Sequence, residues 1–276
     1  MALIELKDVS FSYPSGAAAA LSGLSLSLEA GSFVAVMGAN GSGKSTFAKL
    51  LDALEKPSSG SVLINGLPTS DSASVAQIRR TVGLVFQNPD NQIIGSTVEE
   101  DVAFGPENLG LEPLQIGERV DSALKAVGLC GLEEENPSSL SGGQKQLLAV
   151  AGVLAMDVSC IVLDEATSML DSRGRARLLS VLKRLNEEKK LSIILITHDP
   201  DEAALADRII VLDRGTVAMD GKAADVLSRV GRLRELGLKS TTAATVAFEL
   251  RNRGIGLKEN IVFPEDLVSA LGRRPC

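Results

Sequence analysis

The sequence predicts an α/β fold in which helices cover a largely parallel β-sheet. Short apolar runs typical of buried strands, among them FVAVM, CIVLDE and LSIILIT, alternate along the chain with longer segments of helical spacing. Residues 2–30 add two segments with the alternation of half-buried strands. A glycine-rich segment, GANGSGKST, joins the first apolar run directly to a helical stretch. The order strand, glycine turn, helix is the context that a phosphate-binding loop requires.

The bulk composition is that of an ordinary globular protein. The chain has 276 residues, of which 45% are hydrophobic and 23% are charged, so it has room for one large domain or for a domain with an appendage. The formal net charge is −7. At the level of the whole chain, the basic surface that nucleic-acid-binding proteins use is therefore absent.

The cysteines and apolar runs indicate the compartment. Cys130, Cys160 and Cys276 are scattered without a CxxC pair, which favours reduced thiols over a disulfide framework or a zinc site. The N-terminal segment mixes charges with apolar residues and has no signal-peptide core. The longest apolar run, Leu147–Met156, is too short to cross a bilayer. We therefore expect any role at a membrane to be peripheral and to depend on a partner.

The segment Gly38–Thr46 is the strongest functional signal. Its glycines allow the backbone to curl with N–H groups pointing inward, and the following helix directs its positive dipole end toward an anion. Lys44 can reach the β- and γ-phosphates of a nucleotide, and the Ser45 hydroxyl can ligate Mg²⁺. The predicted phosphate-binding residues are Gly38, Ala39, Asn40, Gly41, Ser42, Gly43, Lys44, Ser45 and Thr46.

Two residues flank this loop in ways that leave alternatives open. Tyr13, the only tyrosine, lies upstream of it and could stack on an adenine ring or simply pack at a strand end. Gln87 is the last residue of the buried strand TVGLVFQ, and the end of a parallel strand is where such sheets bind ligands. It could help to hold Mg²⁺ or the attacking water, or be an ordinary loop residue.

Asp90, in the polar loop after Gln87, could contact a partner or cap the next short helix.

The region 97–156 is predicted to be mostly helical. Thr97 and Glu100 form a plausible capping box. Ser141 can cap a later helix that begins in LSGGQ, and the adjacent glycines leave its first amides accessible to an anion. The alternative is a helix cap without a ligand. The residues assigned to this second anion site are Ser141, Gly142, Gly143 and Gln144.

Two carboxylates end the strand CIVLDE. Asp164 could bind Mg²⁺, directly or through water, and Glu165 could accept a proton from the attacking water. The alternative is that the two acids cap the next helix. A loop containing Asp171 follows, and then a long charged helix.

His198, the only histidine, follows the strand LSIILIT directly. A lone histidine is usually structural, but this position beside Asp199 favours a role in sensing a γ-phosphate. A hairpin, DRIIVLDRG and TVAMDG, is expected next, and residues 223–276 are expected to form short helices.

Taken together, these motifs resemble those of the ATP-binding cassette (ABC) ATPases over about residues 1–220. The order is Tyr13, the Walker A motif GANGSGKST, Gln87, the signature LSGGQ, the Walker B motif CIVLDE, the D-loop SMLD and His198. The resemblance implies the ABC cassette form of the P-loop NTPase fold, with a RecA-like parallel core, an antiparallel β subdomain and a helical subdomain. It also implies that the chain binds ATP and Mg²⁺. The active unit would be a dimer in which each ATP lies between one Walker A motif and the LSGGQ of the other subunit.

A finer resemblance is to the ATPases of energy-coupling factor (ECF) transporters. FQNPDNQ at 86–92, EEDVAFGPENLG at 99–110 and the tail beyond residue 222 are similar to theirs, and DEATSMLD, with Ala166 after Glu165, looks like the first of their two paralogues. The resemblance implies three partners: a second ATPase subunit, identical or different, a transmembrane coupling protein and a membrane substrate-binding subunit.

The resulting prediction is an ATPase subunit at the cytoplasmic face of the cell membrane that powers uptake of a vitamin or a transition-metal ion. We expect an ATPase domain at 1–222, with a helical subdomain at about 90–156, and a dimerising C-terminal extension at 223–276. A soluble cassette ATPase acting on nucleic acid would predict a long insertion or a basic surface, and we expect no nucleic-acid partner. A non-hydrolysing regulatory cassette would predict loss of Glu165, which is present.

Overall fold

The structure is a computed structural model that describes residues 2–14 and 18–272. Cys276 and part of the turn expected at FSYPSG lie outside the described residues. The first of two sheets is antiparallel and has the strand order β2-β1-β4-β5. Its strands are β1 (Ala2–Phe11), β2 (Leu21–Glu29), β4 (Ser59–Ile64) and β5 (Leu67–Pro68).

The second sheet carries the candidate site, and five of its six strands are parallel. Its order is β10-β9-β3-β8-β7-β6, and only β10 runs antiparallel to its neighbour. Its strands are β3 (Phe33–Gly38), β6 (Val82–Val85), β7 (Cys160–Asp164), β8 (Ser192–Ile196), β9 (Arg208–Asp213) and β10 (Thr216–Lys222). Because parallel strands end at the same edge, the segments after β3, β6, β7 and β8 are brought together there.

The expected helices are present in the described ranges. They are α1 (Lys44–Leu51), α2 (Val75–Thr81), α3 (Val98–Asn108), α4 (Pro113–Val127), α5 (Gly142–Ala155), α6 (Ser172–Lys189), α7 (Pro200–Ala203), α8 (Ala223–Leu227), α9 (Val230–Glu235), α10 (Thr242–Asn252) and α11 (Pro264–Gly272). The capping box of α3 is confirmed, since the Thr97 hydroxyl accepts from the Glu100 amide at 3.2 Å and the Glu100 carboxylate accepts from the Thr97 amide at 3.3 Å.

The cap of α6 bears on whether Asp164 and Glu165 cap the helix that follows them. Asp171 caps this helix, with its carboxylate accepting from the Gly174 amide at 2.7 Å. Asp164 and Glu165 therefore do not cap the helix that follows them. The hydrogen-bonding capacity of these two carboxylates is thus available to the candidate site.

The parallel sheet separates two hydrophobic cores. Along β3, Phe33, Ala35 and Met37 pack with the helical side of the molecule, whereas Val34 and Val36 pack with the antiparallel sheet and α1. This alternation follows from the period of two in a strand. Both faces of the sheet are covered, which makes its edge a fixed platform for the loops it carries.

Two smaller findings bear on the expectations from sequence. Cys130 and Cys160 are free, the first exposed and the second buried. Among the residues described, no helix is long and apolar enough to cross a membrane.

Asp52, at the C-terminus of α1, yields a test of this packing. Burial raises its pKa from the ordinary 3.8 to about 6, although the charge of Arg79 partly opposes the shift. The folded state therefore holds the proton more tightly than the unfolded chain. Ionisation should lower the free energy of unfolding as the pH rises from about 4 to about 6.

We predict that Asp52→Asn is more stable than the native chain at pH 7 and above, by up to about 3 kcal/mol, because one pKa unit corresponds to about 1.4 kcal/mol. Below pH 4 the two proteins should have similar stability. Urea unfolding of both proteins at several pH values measures the difference between their free energies of unfolding. The contributions of titrating groups that both proteins share cancel in this difference. A difference that does not change with pH would contradict this account of Asp52.

Candidate functional site

The glycine-rich loop turns between β3 and α1 on left-handed glycines. Gly41 has φ 79° and Gly43, the N-cap of α1, has φ 105°. A Cβ at Gly43 would lie 2.6 Å from the Ala20 carbonyl oxygen, and one at Gly38 would lie 2.5 Å from that of Leu212. At Gly38 and Gly43 the close approach is thus to the protein's own backbone. A Cβ at Gly41 meets no described atom within 4 Å, so its backbone angle alone favours glycine.

Lys44 is almost fully buried in this loop. Its Nζ donates to the carbonyl oxygens of Gly38 at 2.9 Å and Ala39 at 3.1 Å. It also lies 3.6 Å from Oε1 of Glu165. A buried ammonium requires such partners because desolvation of an unpaired charge is costly. The cation is therefore held beneath the loop before any ligand is bound.

Asp164 and Ser45 form an oxygen-rich pair at the loop's base. Burial raises the pKa of Asp164, and the adjacent Glu165 raises it further, whereas a hydrogen bond with Ser45 and the charge of Lys44 oppose the shift. One carboxylate oxygen, Oδ1, is buried without a hydrogen-bond partner in the described structure. A buried acceptor left in this state is a natural position for a cation.

The chemistry of these donors fits Mg²⁺. Hydroxyl, amide and carboxylate oxygens are its preferred ligands, and Mg²⁺ usually keeps several waters and takes only one or two carboxylates. Ser45, Asp164 and Gln87 supply such oxygens. Within residues 2–14 and 18–272, no group of three or more His, Cys, Asp or Glu side chains is arranged to hold a metal.

Glu165 lies between two other predicted site residues. Besides its contact with Lys44, its Oε2 is 3.9 Å from Nδ1 of His198, whose side chain is 62% exposed. The Glu165 backbone is left-handed, with φ 50°. Outside glycine this conformation is uncommon, and it occurs most often where the surrounding structure imposes it.

Gln87 reaches the same edge from β6. Its Nε2 donates to the Ser168 hydroxyl at 3.0 Å, and that hydroxyl donates to the Glu165 carbonyl oxygen at 2.8 Å. The glutamine is thus connected to the loop that follows β7. Ser168 was named only as part of the D-loop in the sequence analysis, and a serine in that loop carried no signal of this contact.

Tyr13 presents its ring beside the loop. Its hydroxyl lies 3.2 Å from Oγ1 of Thr46, and its ring packs edge-to-face on Phe11 with centroids 4.8 Å apart. Nζ of Lys49 is 5.8 Å from the ring centroid. The ring is therefore fixed on one side of the loop.

A cavity of about 390 Å³ brings most of the predicted residues together. Its lining residues are Tyr13, Ala20, Asn40, Gly41, Gly43, Lys44, Ser45, Thr46, Gln87, Asp164 and Glu165. Gly38 and Ser42 lie beneath the surface of the loop, whereas Ala39 is exposed and contributes its carbonyl oxygen to Lys44. His198 joins the site through Glu165. Ala20 was not foreseen, because a small apolar residue before a strand carries no chemical signal; it enters through its carbonyl contact with the loop.

The LSGGQ segment lines a different cavity. Ser141 caps α5: its hydroxyl accepts from the Gln144 amide at 3.3 Å, and the Gln144 side chain accepts from the Ser141 amide at 2.9 Å. The cavity has a volume of about 480 Å³ and is lined also by Met169, Asp171 and Arg173. It shares no lining residue with the cavity at the glycine-rich loop. Within one chain, the two predicted anion sites are therefore separate.

Comparison with known proteins agrees with this geometry. The profile described as "ABC transporter" matches residues 6–168. The energy-coupling factor transporter ATP-binding protein EcfA1 of Clostridium perfringens is 45% identical over 273 residues, which cover 98% of this chain and 97% of that protein. The cobalt import ATP-binding protein CbiO of Syntrophus aciditrophicus is 44% identical over 265 residues, covering 96% of this chain and 94% of that protein.

Solved structures show the same fold. CbiO1 of Clostridium perfringens, described as part of the ABC transporter complex CbiONQ, superposes with a TM-score of 0.77 at 33% identity, covering 86% of this chain and 94% of that one. The dimeric ATP-binding cassette MJ0796, in a post-hydrolysis state with ADP and Pi, superposes with a TM-score of 0.72 at 34% identity, covering 80% of this chain and 98% of that one. The predicted ABC cassette fold is thereby confirmed. The chain belongs to the ABC transporter family and, within it, to the ATP-binding proteins of energy-coupling factor transporters.

Proposed function

We propose that this chain binds and hydrolyses ATP as the ATPase subunit of an ECF-type importer for a vitamin or a transition-metal ion. One observation carries the chemistry: Glu165 stands between Lys44 and His198, beside the unpartnered oxygen of Asp164. This arrangement supports the assignment of a base, a phosphate-binding cation and a cation-binding carboxylate to a single sheet edge. The retained Glu165 argues against the regulatory, non-hydrolysing alternative, and the net charge of −7 argues against a nucleic-acid partner.

Each side chain takes a distinct part in this proposal. The backbone amides of the loop 38–46 bind the phosphates, Lys44 stabilises charge on the β- and γ-phosphates, and the Tyr13 ring stacks on the adenine. Glu165 accepts the proton of the attacking water, and His198 holds the γ-phosphate end of the site. Ser45, Asp164 and Gln87 hold Mg²⁺, which when bound neutralises developing phosphate charge.

The second anion site acts on a neighbouring subunit in this proposal. Ser141, Gly142, Gly143 and Gln144 face their own cavity, away from the chain's own phosphate loop. We infer that they contact the ATP held by a second ATPase subunit, identical or different. The helices α8–α11 support assignment of 223–276 as a dimerising extension, with 1–222 as the ATPase domain and about 90–156 as its helical subdomain.

The membrane partners are expected to dock beside Gln87, at the cytoplasmic face of the membrane. Asp90 is exposed but already pairs with Lys145 of α5 at 2.6 Å. The cap of the short turn 89–91 is Asn88 and not Asp90, so the capping alternative is wrong. Two apolar side chains that follow in the sequence, Ile94 and Phe104, are also exposed. A transmembrane coupling protein with arginines could compete with Lys145 for Asp90, and a separate membrane subunit would select the substrate.

We predict that Glu165→Gln lowers the rate of ATP hydrolysis by roughly 10²–10⁴-fold, the usual effect of losing a general base. ATP binding should remain, because the loop amides and Mg²⁺ ligands are unchanged. Steady-state hydrolysis and equilibrium nucleotide binding, measured on the full chain in the presence of Mg²⁺, check both parts. Hydrolysis at a near-normal rate would exclude Glu165 as the base.

For the second anion site we predict that Ser141→Arg prevents ATP-driven dimerisation and hydrolysis without weakening ATP binding by the separate subunit. The bulky side chain would block the cavity lined by LSGGQ. Light scattering with and without ATP measures the dimer. Ser141→Ala is the matched control, since it removes the same helix cap, worth about 1 kcal/mol, without adding bulk. If the arginine variant still dimerises, the shared site is wrong.

At the docking surface we predict that Asp90→Arg abolishes assembly with the membrane subunits but spares nucleotide binding. Reversal would set an arginine against the arginines of the coupling protein, and like charges placed together across an interface oppose binding. Co-purification of the membrane complex is the measurement. Lys145→Met serves as the control, because it also breaks the intrachain pair but leaves the carboxylate free for a partner. Normal assembly of Asp90→Arg would show that docking occurs elsewhere.

A further inference from the structure

Glu202, in the short helix α7, is a buried carboxylate behind the candidate site. It is only 2% exposed. Its Oε2 accepts from the Thr167 hydroxyl at 2.8 Å and from the Thr197 hydroxyl at 2.6 Å. Glutamates are almost never buried to this extent unless they are paired, because removing the charge from water is expensive. The two hydroxyls and a nearby arginine supply that pairing.

The two threonines lie in the loops that carry the proposed catalytic pair. Thr167 follows Glu165 by two residues, and Thr197 immediately precedes His198. A single carboxylate oxygen therefore connects the chain after β7 with the chain after β8. The Glu165 and His198 side chains are 3.9 Å apart, and this distance depends on how those two loops are held relative to each other.

Glu165 requires support of this kind. Its left-handed backbone, with φ 50°, is strained for a residue with a Cβ, and such conformations persist where neighbouring contacts impose them. The Glu165 amide donates to the Ile196 carbonyl oxygen at 3.1 Å, which ties it to β8. The contact of Thr167 with Glu202 fixes the chain on the other side of the strained residue.

Arg175 completes the group from the first turn of α6. Its Nη1 donates to Asp199 at 2.7 Å, and its Nε lies 3.4 Å from Oε1 of Glu202 in an ion pair without hydrogen-bond geometry. Asp199 flanks His198 on the side opposite Thr197, and its amide donates to the Thr197 hydroxyl at 3.0 Å. His198 is thus held on both sides by residues of one polar network.

We propose that Glu202 is a positioning residue that sets the separation of Glu165 and His198 through Thr167 and Thr197. Its role in hydrolysis rests on the function proposed above, whereas its control of the loop geometry does not. The hydroxyls act as donors to one anionic oxygen. Removal of either hydroxyl, or of the negative charge, should therefore release the two loops while leaving the glycine-rich loop, Lys44 and Tyr13 unchanged.

The kinetic test compares variants of nearly equal size. Glu202→Gln and Thr197→Val should lower kcat for ATP by about 10–100-fold. Equilibrium binding of ADP, which lacks the γ-phosphate that His198 is proposed to hold, should stay within about twofold of the native chain. Thr197→Ser keeps the hydroxyl and should restore kcat to within about threefold. Because both hydroxyls act on the same oxygen, Thr167→Val combined with Thr197→Val should lower kcat by less than the product of the separate effects.

Thr69→Val is the matched control. Thr69 is also fully buried, and its hydroxyl has no hydrogen-bond partner in the described part of the chain, so this change removes a buried hydroxyl outside the network. Its kcat should stay within about twofold of the native value. The proposal is overturned if Thr197→Val behaves like Thr69→Val, or if Thr197→Ser loses as much activity as Thr197→Val.

A second readout does not depend on hydrolysis. The untagged chain contains one histidine, so its ring C–H protons give a single set of resonances for His198. Glu165→Gln should shift these resonances in the native background and should shift them much less in the Thr197→Val background. Equal shifts in both backgrounds would show that the network does not hold the pair together. A native chain that fails to hydrolyse ATP but passes this test would contradict the proposed function and leave the positioning role intact.

Discussion

The burial of the Lys44 ammonium is the interaction on which the site depends. Two carbonyl oxygens of the glycine-rich loop and the nearby Glu165 carboxylate surround this cation, so the loop is shaped around a positive charge before a nucleotide arrives. A charge buried in this way is expensive unless every partner is in place. The left-handed glycines, the close packing of Gly43 on Ala20 and the position of Glu165 all serve the same arrangement.

The parallel sheet makes this arrangement possible because it delivers distant segments to one edge. β3 leads to the phosphate loop, β7 to the two carboxylates, β8 to His198 and β6 to Gln87. One hydrophobic core covers one face of this sheet and the second core covers the other face, so the edge has little freedom to move. Preorganised charges in a partly dry cavity act more strongly on a reacting phosphate than the same charges in water.

The contacts around α5 connect the edge with the second anion site. Gln146 of this helix is fully buried and donates to the Phe86 carbonyl oxygen at 3.1 Å, immediately before Gln87. At the start of the same helix, Gly143 packs against Gly174 of α6, and a Cβ at Gly143 would lie 3.3 Å from the Gly174 Cα. Arg175, the next residue, belongs to the network around Glu202. Helix α5, which begins in the segment proposed to face a second subunit, thus contacts both the strand end that precedes Gln87 and the first turn of α6.

The sequence by itself determined the elements and indicated most of the residues that meet at the candidate site. The phosphate loop, the apolar strands, the Thr97 capping box and the short C-terminal helices could be predicted because they depend on local patterns of glycine, hydrophobicity and hydrogen-bonding side chains. Only the tertiary structure decided which of these segments meet. The choice of Asp171 as the cap of α6, the pairing of Asp90 with Lys145 and the burial of Glu202 between two threonines all join residues through space. Such contacts follow from the order of strands in the sheet and from the desolvation of charges on folding, and neither is visible in the periodicity of a single chain.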